Sequence, residues 1–304
     1  MAAEKNKIIG LVVNPRKENI KPILEDFNKW AANYSDISFL LCTFNSPYIN
    51  KDFSNLELSS EKDLIKKSGL IITLGGDGTL LRTVNKLDST PVNIFGINLG
   101  GLGFLANIPP EKLIDHLENY LKGSYTIDER TMLSCHIPSN NKQFIALNDV
   151  VIDKAGFSRV IQIDTKINGK LLNSYIADGL IISTPTGSTG YSLSAGGPIV
   201  PPNTNVFVLN PICPHSLTNR PLVIDDNSEI TVQVWTESES FNLLRDGENK
   251  GRFSSGTQFV IKKSNYKVRF IQPKSQNFFK ILSKKLSWGG DFRNKKRWTY
   301  QKGK

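Results

Sequence analysis

Gly75-Gly76-Asp77-Gly78-Thr79 sets a carboxylate among glycines, after the strand-like run Leu70-Ile71-Ile72-Thr73-Leu74 and before a helical pattern that begins at Leu80. Glycines in such a turn permit positive φ and let backbone N–H groups approach an anion. The helix behind them would aim its positive end and its unsatisfied amides at the same point, which suits a phosphate. Arg82, one turn in, would add a charge-assisted contact. Asp77 repels a phosphate unless it binds a metal, takes a proton from a nucleophile or accepts a substrate hydroxyl. Phosphoryl transfer to a sugar hydroxyl needs such a group. The blander reading is an Asp that bonds its own turn, which Asn would serve nearly as well. Asp77→Asn is therefore expected to keep the fold and to remove the chemistry.

A second segment, Asp178-Gly179-Leu180-Ile181-Ile182-Ser183, runs into a loop from Thr184 to Pro198 that is dense in hydroxyls and glycine and carries one aromatic, Tyr191. Such a loop offers several donors and a flat ring on which a base can stack. Gly190-Tyr191-Ser192-Leu193-Ser194 lacks the last glycine of a hydrolase nucleophile elbow. No Gly-x-x-x-x-Gly-Lys-Ser/Thr occurs in the chain. Gly101-Leu102-Gly103-Phe104-Leu105-Ala106 has the letters of a dinucleotide fingerprint, but Pro109 and Pro110 fall where its helix should run. A tight turn lining the cleft is the better reading.

Together these segments resemble the NAD kinase family. Its members carry a Gly-Gly-Asp-Gly-Thr turn, an Asn-Glu or Asn-Asp pair, and an Asp-Gly strand entering a Thr-Pro-Thr-Gly-Ser-Thr loop. Here these are residues 75–79, Asn148-Asp149 and residues 178–189. Residues 210–217, Arg220-Pro221-Leu222 and Asp246-Gly247 also resemble family segments, so the likeness runs from about Ile8 to Trp288.

The resemblance implies an α/β N-terminal Rossmann-like domain, a parallel sheet with helices, over residues 1–130 and completed by residues 274–304. It implies an all-β, sandwich-like NAD-binding domain over residues 131–273 and a C-terminal segment that returns to the first domain. The implied reaction moves the γ-phosphate of ATP to the 2′-hydroxyl of the adenosine ribose of NAD, forming NADP. Mg²⁺ or another divalent metal would be carried with the nucleotide, with no metal site of the chain's own. Asp77 would touch NAD and accept the hydroxyl proton. Gly78, Phe104, Asn148, Asp149 and Asp178 would hold NAD, with Thr189, Gly190, Tyr191, Ser192, Leu193 and Ser194 of the loop and Tyr191 near an adenine; Arg82 joins them from its place one turn into the helix rather than from the resemblance. Arg159, in the strand region after the Asn-Asp pair, is carried over as well. Gly190 stands where many members have alanine, and Ile176 where several NAD-selective members have arginine, so NADH is expected to be accepted at a measurable fraction of the NAD rate. The family also implies a homodimer or homotetramer.

The elements that must position these residues follow from the hydrophobic pattern. Over the first 130 residues strands and helices alternate. The strand runs are 8–13, 37–42, 70–74 and 92–97. Helical spacing appears at Ile20, Leu24, Phe27 and Trp30, at Leu80, Val84 and Leu87, and at Leu113, Leu117 and Tyr120 behind Pro109 and Pro110. That order implies a mostly parallel sheet covered by helices. From about Thr131, short runs rich in Val, Ile and Phe, such as 146–152, 160–167 and 229–235, read as all-β. A closing helix with Phe278, Leu282 and Leu286 precedes a basic end at 293–304.

The chain of 304 residues, 39% apolar and 22% charged, can bury two cores, which excludes disorder as its main state. No apolar run approaches the roughly 18–20 residues a membrane helix needs. Cys42, Cys135 and Cys213 form no Cys-x-x-Cys pair, so neither a disulfide framework nor a zinc site is indicated, and a cytoplasmic location is expected. The formal charge of +10 points to anionic partners. The body of the chain lacks clustered Lys/Arg interleaved with aromatics, so NAD and ATP are expected rather than nucleic acid, and the closing helix is read as docking on the core rather than on a membrane. His116, His136 and His215 are read as structural. The alternative enzyme class is a diacylglycerol- or sphingosine-type lipid kinase, which resembles the Gly-Gly-Asp-Gly-Thr turn but has no use for the loop at 184–198.

Overall fold

The computed structural model describes residues 8–17, 20–43, 53–101, 103–156, 159–274 and 277–288, so the basic end at 293–304 lies outside the described residues. The chain opens with five parallel strands, β1 (Ile8–Val13), β2 (Ser38–Cys42), β3 (Glu57–Leu58), β4 (Leu70–Gly75) and β5 (Asn93–Asn98), ordered β5-β4-β1-β2-β3. β4 is buried along its whole length, as a parallel strand covered on both faces must be. Alternate residues choose the face. Ile9, Leu11 and Val13 pack with Leu24 and Phe27 of helix α1 (Ile20–Ala31) and with Leu113 and Leu117 of α4 (Leu113–Leu121). Val12 and Ile71 pack with Leu64 and Ile65 of α2 (Glu61–Lys67) and with Leu80 and Val84 of α3 (Asp77–Lys86). The sequence pattern missed α2, which has only seven residues and two buried side chains; Ser60 caps it by accepting the Asp63 N–H at 3.1 Å.

The second half is strand after strand: β6 (Thr126–Ile137), β7 (Lys142–Ala146), β8 (Asp149–Lys154), β9 (Ile161–Ile167), β10 (Lys170–Ala177) and β11 (Gly179–Ser183). After a short helix α5 (Tyr191–Ser194) come β12 (Val206–Ile212), β13 (Leu222–Asp225), β14 (Ile230–Trp235), β15 (Phe241–Arg245), β16 (Glu248–Phe253) and β17 (Gln258–Gln272), then α6 (Phe278–Lys285). One sheet has six strands, β13-β12-β11-β8-β15-β16. Its apolar face, with Val150, Ile152, Leu180, Ile182, Phe207 and Leu209, packs on Ile161, Ile163, Ile230, Val232, Phe259 and Ile261 of the facing sheet. That is a sandwich.

The facing sheet does not stop at the sandwich. β17 pairs antiparallel with β14 and β6, and near its end it pairs parallel with β5 through Arg269 and Phe270. The N-terminal sheet and one sandwich layer are thus a single eleven-stranded sheet, and the C-terminal segment returns to the first lobe. β6 crosses residue 130 without a break. The run 146–152, expected as one strand, is two. Leu147 and Asn148 interrupt it because their N–H groups donate to the Asp246 carboxylate. Among the described residues no helix is long and apolar enough to cross a membrane.

Candidate active site

The glycine-rich turn is where β4 becomes α3. Gly76 caps α3 with no side-chain hydrogen bond, so the amides of its first turn have no capping side chain and can meet an anion. In front of them lies a cleft of about 650 Å³ lined by Asn14, Pro15, Arg16, Lys17, Gly76, Gly78, Thr79 and Arg82. Arg16 and Lys17 went unnoticed in the sequence. The available signal was their place directly after β1, which pairs in parallel with β4, so both strands deliver their loops to one edge of the sheet. Arg82 also reaches Glu61 of α2 at 3.4 Å.

Asp77 does not bond its own turn. Its Oδ1 accepts the N–H groups of Leu105 (3.1 Å) and Ala106 (2.9 Å), and its Oδ2 accepts that of Phe104 (2.8 Å). The turn is fitted closely around the carboxylate: a Cβ on Gly103 would lie 2.1 Å from Asp77 Oδ1. Lys285 of α6 places Nζ 3.6 Å from Asp77 Oδ2 and 4.3 Å from the centre of the Phe104 ring. This geometry gives Asp77→Asn a cost in stability. Asparagine keeps the Oδ1 bonds but turns an amide donor toward the Phe104 N–H, at a cost of about 1–3 kcal/mol.

Asn148 and Asp149 sit where β7 gives way to β8, and a hairpin turn from elsewhere holds them. Asp246 (φ +48°) and Gly247 (φ +80°) join β15 to β16 in the left-handed conformation such turns require. Asp246 Oδ1 accepts the N–H groups of Asn148 (2.7 Å) and Asp149 (3.0 Å), and its Oδ2 that of Leu147 (2.9 Å). From the other side, Thr184 donates its N–H to the Asn148 carbonyl at 2.9 Å and its hydroxyl to the Leu147 carbonyl at 2.6 Å. Gly187 comes so near that a Cβ there would lie 2.1 Å from the Asn148 carbonyl oxygen. The Asn148 backbone is therefore fixed, while its side-chain Oδ1 is buried without a partner among the described residues. A polar atom in that state awaits a hydrogen-bond donor.

Asp149 is buried, and among the described residues nothing donates to its carboxylate. Burial first, and then the charge of Asp246, push its pKa up to about 7. Burial raises Asp246 too, but the three backbone donors act against it, so Asp246 is the member of the pair that ionises first. Asp178 precedes β11 and pairs with Lys154 at 2.7 Å. Because Ser183 lies opposite Asp149 and Gly179 opposite Asp153, Asp178 and Asp149 mark the two ends of the β8–β11 pair. At about 3.4 Å per residue they are separated by roughly 17 Å of strand, which suits an elongated ligand. Tyr191 is half exposed and within electrostatic reach of both. Burial raises its phenol first, followed by Asp153, Cys213, Asp149 and Asp178. Gly190 donates to the Gly187 carbonyl at 2.8 Å, Thr189 to Thr186 at 3.2 Å and Leu193 to Gly190 at 3.2 Å, so the loop is tied to itself. Ser192 is buried with Asn210, and Ser194 ends α5 at the surface.

Arg159 is not brought to this group. It pairs with Glu237 at 2.9 Å, both side chains exposed, and lines a separate cleft with Gln162, Ile176 and Trp235. Among the described residues, no three His, Cys, Asp or Glu side chains converge as a metal cage would need.

The fold and the basic cleft beside Asp77 define a two-lobed nucleotide-handling protein. The family described as the ATP-NAD kinase N-terminal domain matches residues 9–125, and the ATP-NAD kinase C-terminal domain matches residues 147–273. The NAD kinase of Natranaerobius thermophilus is 37% identical over 284 residues, 92% of this chain and 98% of that protein. The NAD kinase of Flavobacterium psychrophilum is 42% identical over 251 residues, 81% of this chain and 85% of that protein. Among solved structures, yeast NADH kinase complexed with NADH superposes with a TM-score of 0.87 at 25% identity, covering 96% of this chain and 91% of that one. An Archaeoglobus fulgidus NAD kinase in complex with ATP shares the fold, with a TM-score of 0.70 at 24% identity over 92% of this chain and 98% of that one. The chain belongs to the ATP-NAD kinase family.

Proposed function

We propose that this chain transfers the γ-phosphate of ATP to the 2′-hydroxyl of the adenosine ribose of NAD, giving NADP and ADP. The observation that carries this reading is Asp77, a carboxylate held by three backbone amides at the start of α3, on the rim of a basic cleft. ATP would lay its phosphates against the first-turn amides of α3 with Arg16, Lys17 and Arg82. NAD would lie along Asn148, Asp149, Tyr191 and Asp178, with an adenine near Tyr191 and its 2′-hydroxyl on Asp77. Gly78, Phe104 and the loop residues Thr189, Gly190, Ser192, Leu193 and Ser194 would complete the nucleotide contacts. In the reaction the O2′ proton passes to Asp77, the O2′–P bond forms, and the bond from phosphorus to the β–γ bridging oxygen breaks with its electron pair on ADP.

Magnesium would travel with the triphosphate, which commonly binds it through phosphates and few carboxylates. We place the enzyme in the cytoplasm as a homodimer or homotetramer, with the nucleotide division of labour at 1–130 with 274–304 against 131–273. Ile176, exposed on β10, supplies no cation, so NADH should serve at a measurable fraction of the NAD rate. A lipid kinase finds no support, since the curated relatives are NAD kinases and the loop at 184–190 is built against Asn148.

Asp77→Asn tests the reading. With the protein verified as folded, kcat should fall by on the order of 10²–10⁴, the usual contribution of a general base. The melting temperature should also drop, through the lost Phe104 bond. A folded variant that keeps more than about a tenth of the wild-type kcat would remove Asp77 from the chemistry.

A further inference from the structure

α6 is a short helix near the C-terminal end of the described chain, and it is placed with care. Asn277 caps it, accepting the N–H groups of Phe279 (2.9 Å) and Lys280 (3.2 Å), and Leu282 is its buried anchor. Lys284 and Lys285 occupy its last turn, where cations are favoured by the helix dipole. Lys285 then turns away from open solvent. Its ammonium lies against the Phe104 ring and 3.6 Å from Asp77 Oδ2, with the side chain only 33% exposed. Asp77 does not need it for hydrogen bonding, because both carboxylate oxygens already accept backbone N–H groups. A partly exposed ion pair of this length adds little stability. What the arrangement does achieve is to bring a mobile cation, more than two hundred residues away in sequence, onto the proton acceptor.

We propose that Lys285 is a catalytic cation that meets the transferring phosphoryl group. The proposal rests on the kinase reading above. A ribose hydroxyl seated on Asp77 puts the phosphorus in line with O2′, so the three equatorial phosphoryl oxygens must pass within reach of any group that touches Asp77. Gly76, Gly78, Arg16, Lys17 and Arg82 serve the side of Asp77 where the basic cleft opens, whereas Lys285 arrives from the side lined by Phe104 and α6. As the O2′ proton moves to Asp77, the carboxylate loses its charge and the ion pair with Lys285 loses its partner. At the same moment negative charge gathers on the phosphoryl oxygens and on the ADP leaving group. The ammonium, on a flexible stem, shifts from the one to the other and keeps its own proton throughout.

The test uses the full chain with Lys285→Met, which keeps the stem over Phe104, and Lys285→Ala, which leaves room for an added amine. With NAD, ATP and Mg²⁺, each variant should lose on the order of 10²-fold in kcat, as expected when one charge-stabilising group is removed. KM for NAD should stay within about threefold of wild type. Ethylammonium should restore part of the Ala variant's kcat in a concentration-dependent way, and Lys285→Arg should retain more activity than Met. A purely structural lysine would show neither rescue. The proposal is overturned if the Met variant keeps kcat within about threefold of wild type, if only KM changes, or if neither amine nor arginine restores turnover. Should wild type itself form no NADP, the kinase reading fails first and this proposal falls with it.

Discussion

Asp77 and Asp246 each accept hydrogen bonds from three consecutive backbone N–H groups, Asp77 from residues 104–106 and Asp246 from residues 147–149. In both cases a carboxylate from a distant part of the chain fixes a short segment that carries functional side chains. Asp77 could be picked out in the sequence, because an acid among glycines at a strand-to-helix turn needs a reason. Asp246-Gly247 stands out in the sequence only by its family resemblance, and nothing local shows that its side chain reaches back to Asn148. The buried neighbour Asp149 yields a pH prediction. Its native pKa, about 7, lies above its ordinary value of 3.8. From about pH 4 to pH 7 the native state thus holds a proton that the unfolded chain has lost, and the stability due to this site falls as pH rises through that window. Asp149→Asn removes the penalty of the buried charge. The difference in melting temperature, variant minus wild type, should grow more positive from pH 5 to pH 8. A difference independent of pH would mean that Asp149 does not titrate there.

At the scale of elements, the site is assembled from loops that follow strands: β1 and β4 deliver the basic cleft, and the β15–β16 hairpin and the loop after β11 fix the break between β7 and β8. Truncation of the clamp should therefore act on binding as well as on stability. Asp246→Ala leaves the N–H groups of Leu147, Asn148 and Asp149 without acceptors, at roughly several kcal/mol in all. Asp246→Asn keeps the two Oδ1 bonds and suits the left-handed turn, so it should be milder. The expected order of melting temperature, and of affinity for NAD by calorimetry, is wild type, then Asn, then Ala. An Ala variant that melts and binds like wild type would show that the clamp is idle.

Across the whole molecule, β17 belongs to both lobes, pairing with β14 and β6 of the sandwich and with β5 of the parallel sheet. The amides of β4 and β14, which both lie in the eleven-stranded sheet, should then exchange through one common opening in low urea, and separate opening energies for the two would contradict a shared sheet. The buried parallel strands, α1 and the switch to all-β structure were legible because hydrophobic period and burial are local properties of sequence. The join through β17 was not, since pairing between residues 93 and 269 leaves no local trace. Nor were Arg16 and Lys17, which gain meaning only when β1 lies beside β4. Arg159, carried over by resemblance, lies with Glu237 instead of with Asn148. The most direct test of the account joins all these parts in one reaction. The purified chain is incubated with NAD, γ-labelled ATP and Mg²⁺, and NADP is read with a strictly NADP-dependent dehydrogenase alongside ADP. The account predicts NADP and ADP formed one for one, with the label on the 2′-phosphate of NADP. Label appearing on diacylglycerol or sphingosine while NAD stays unchanged would contradict it.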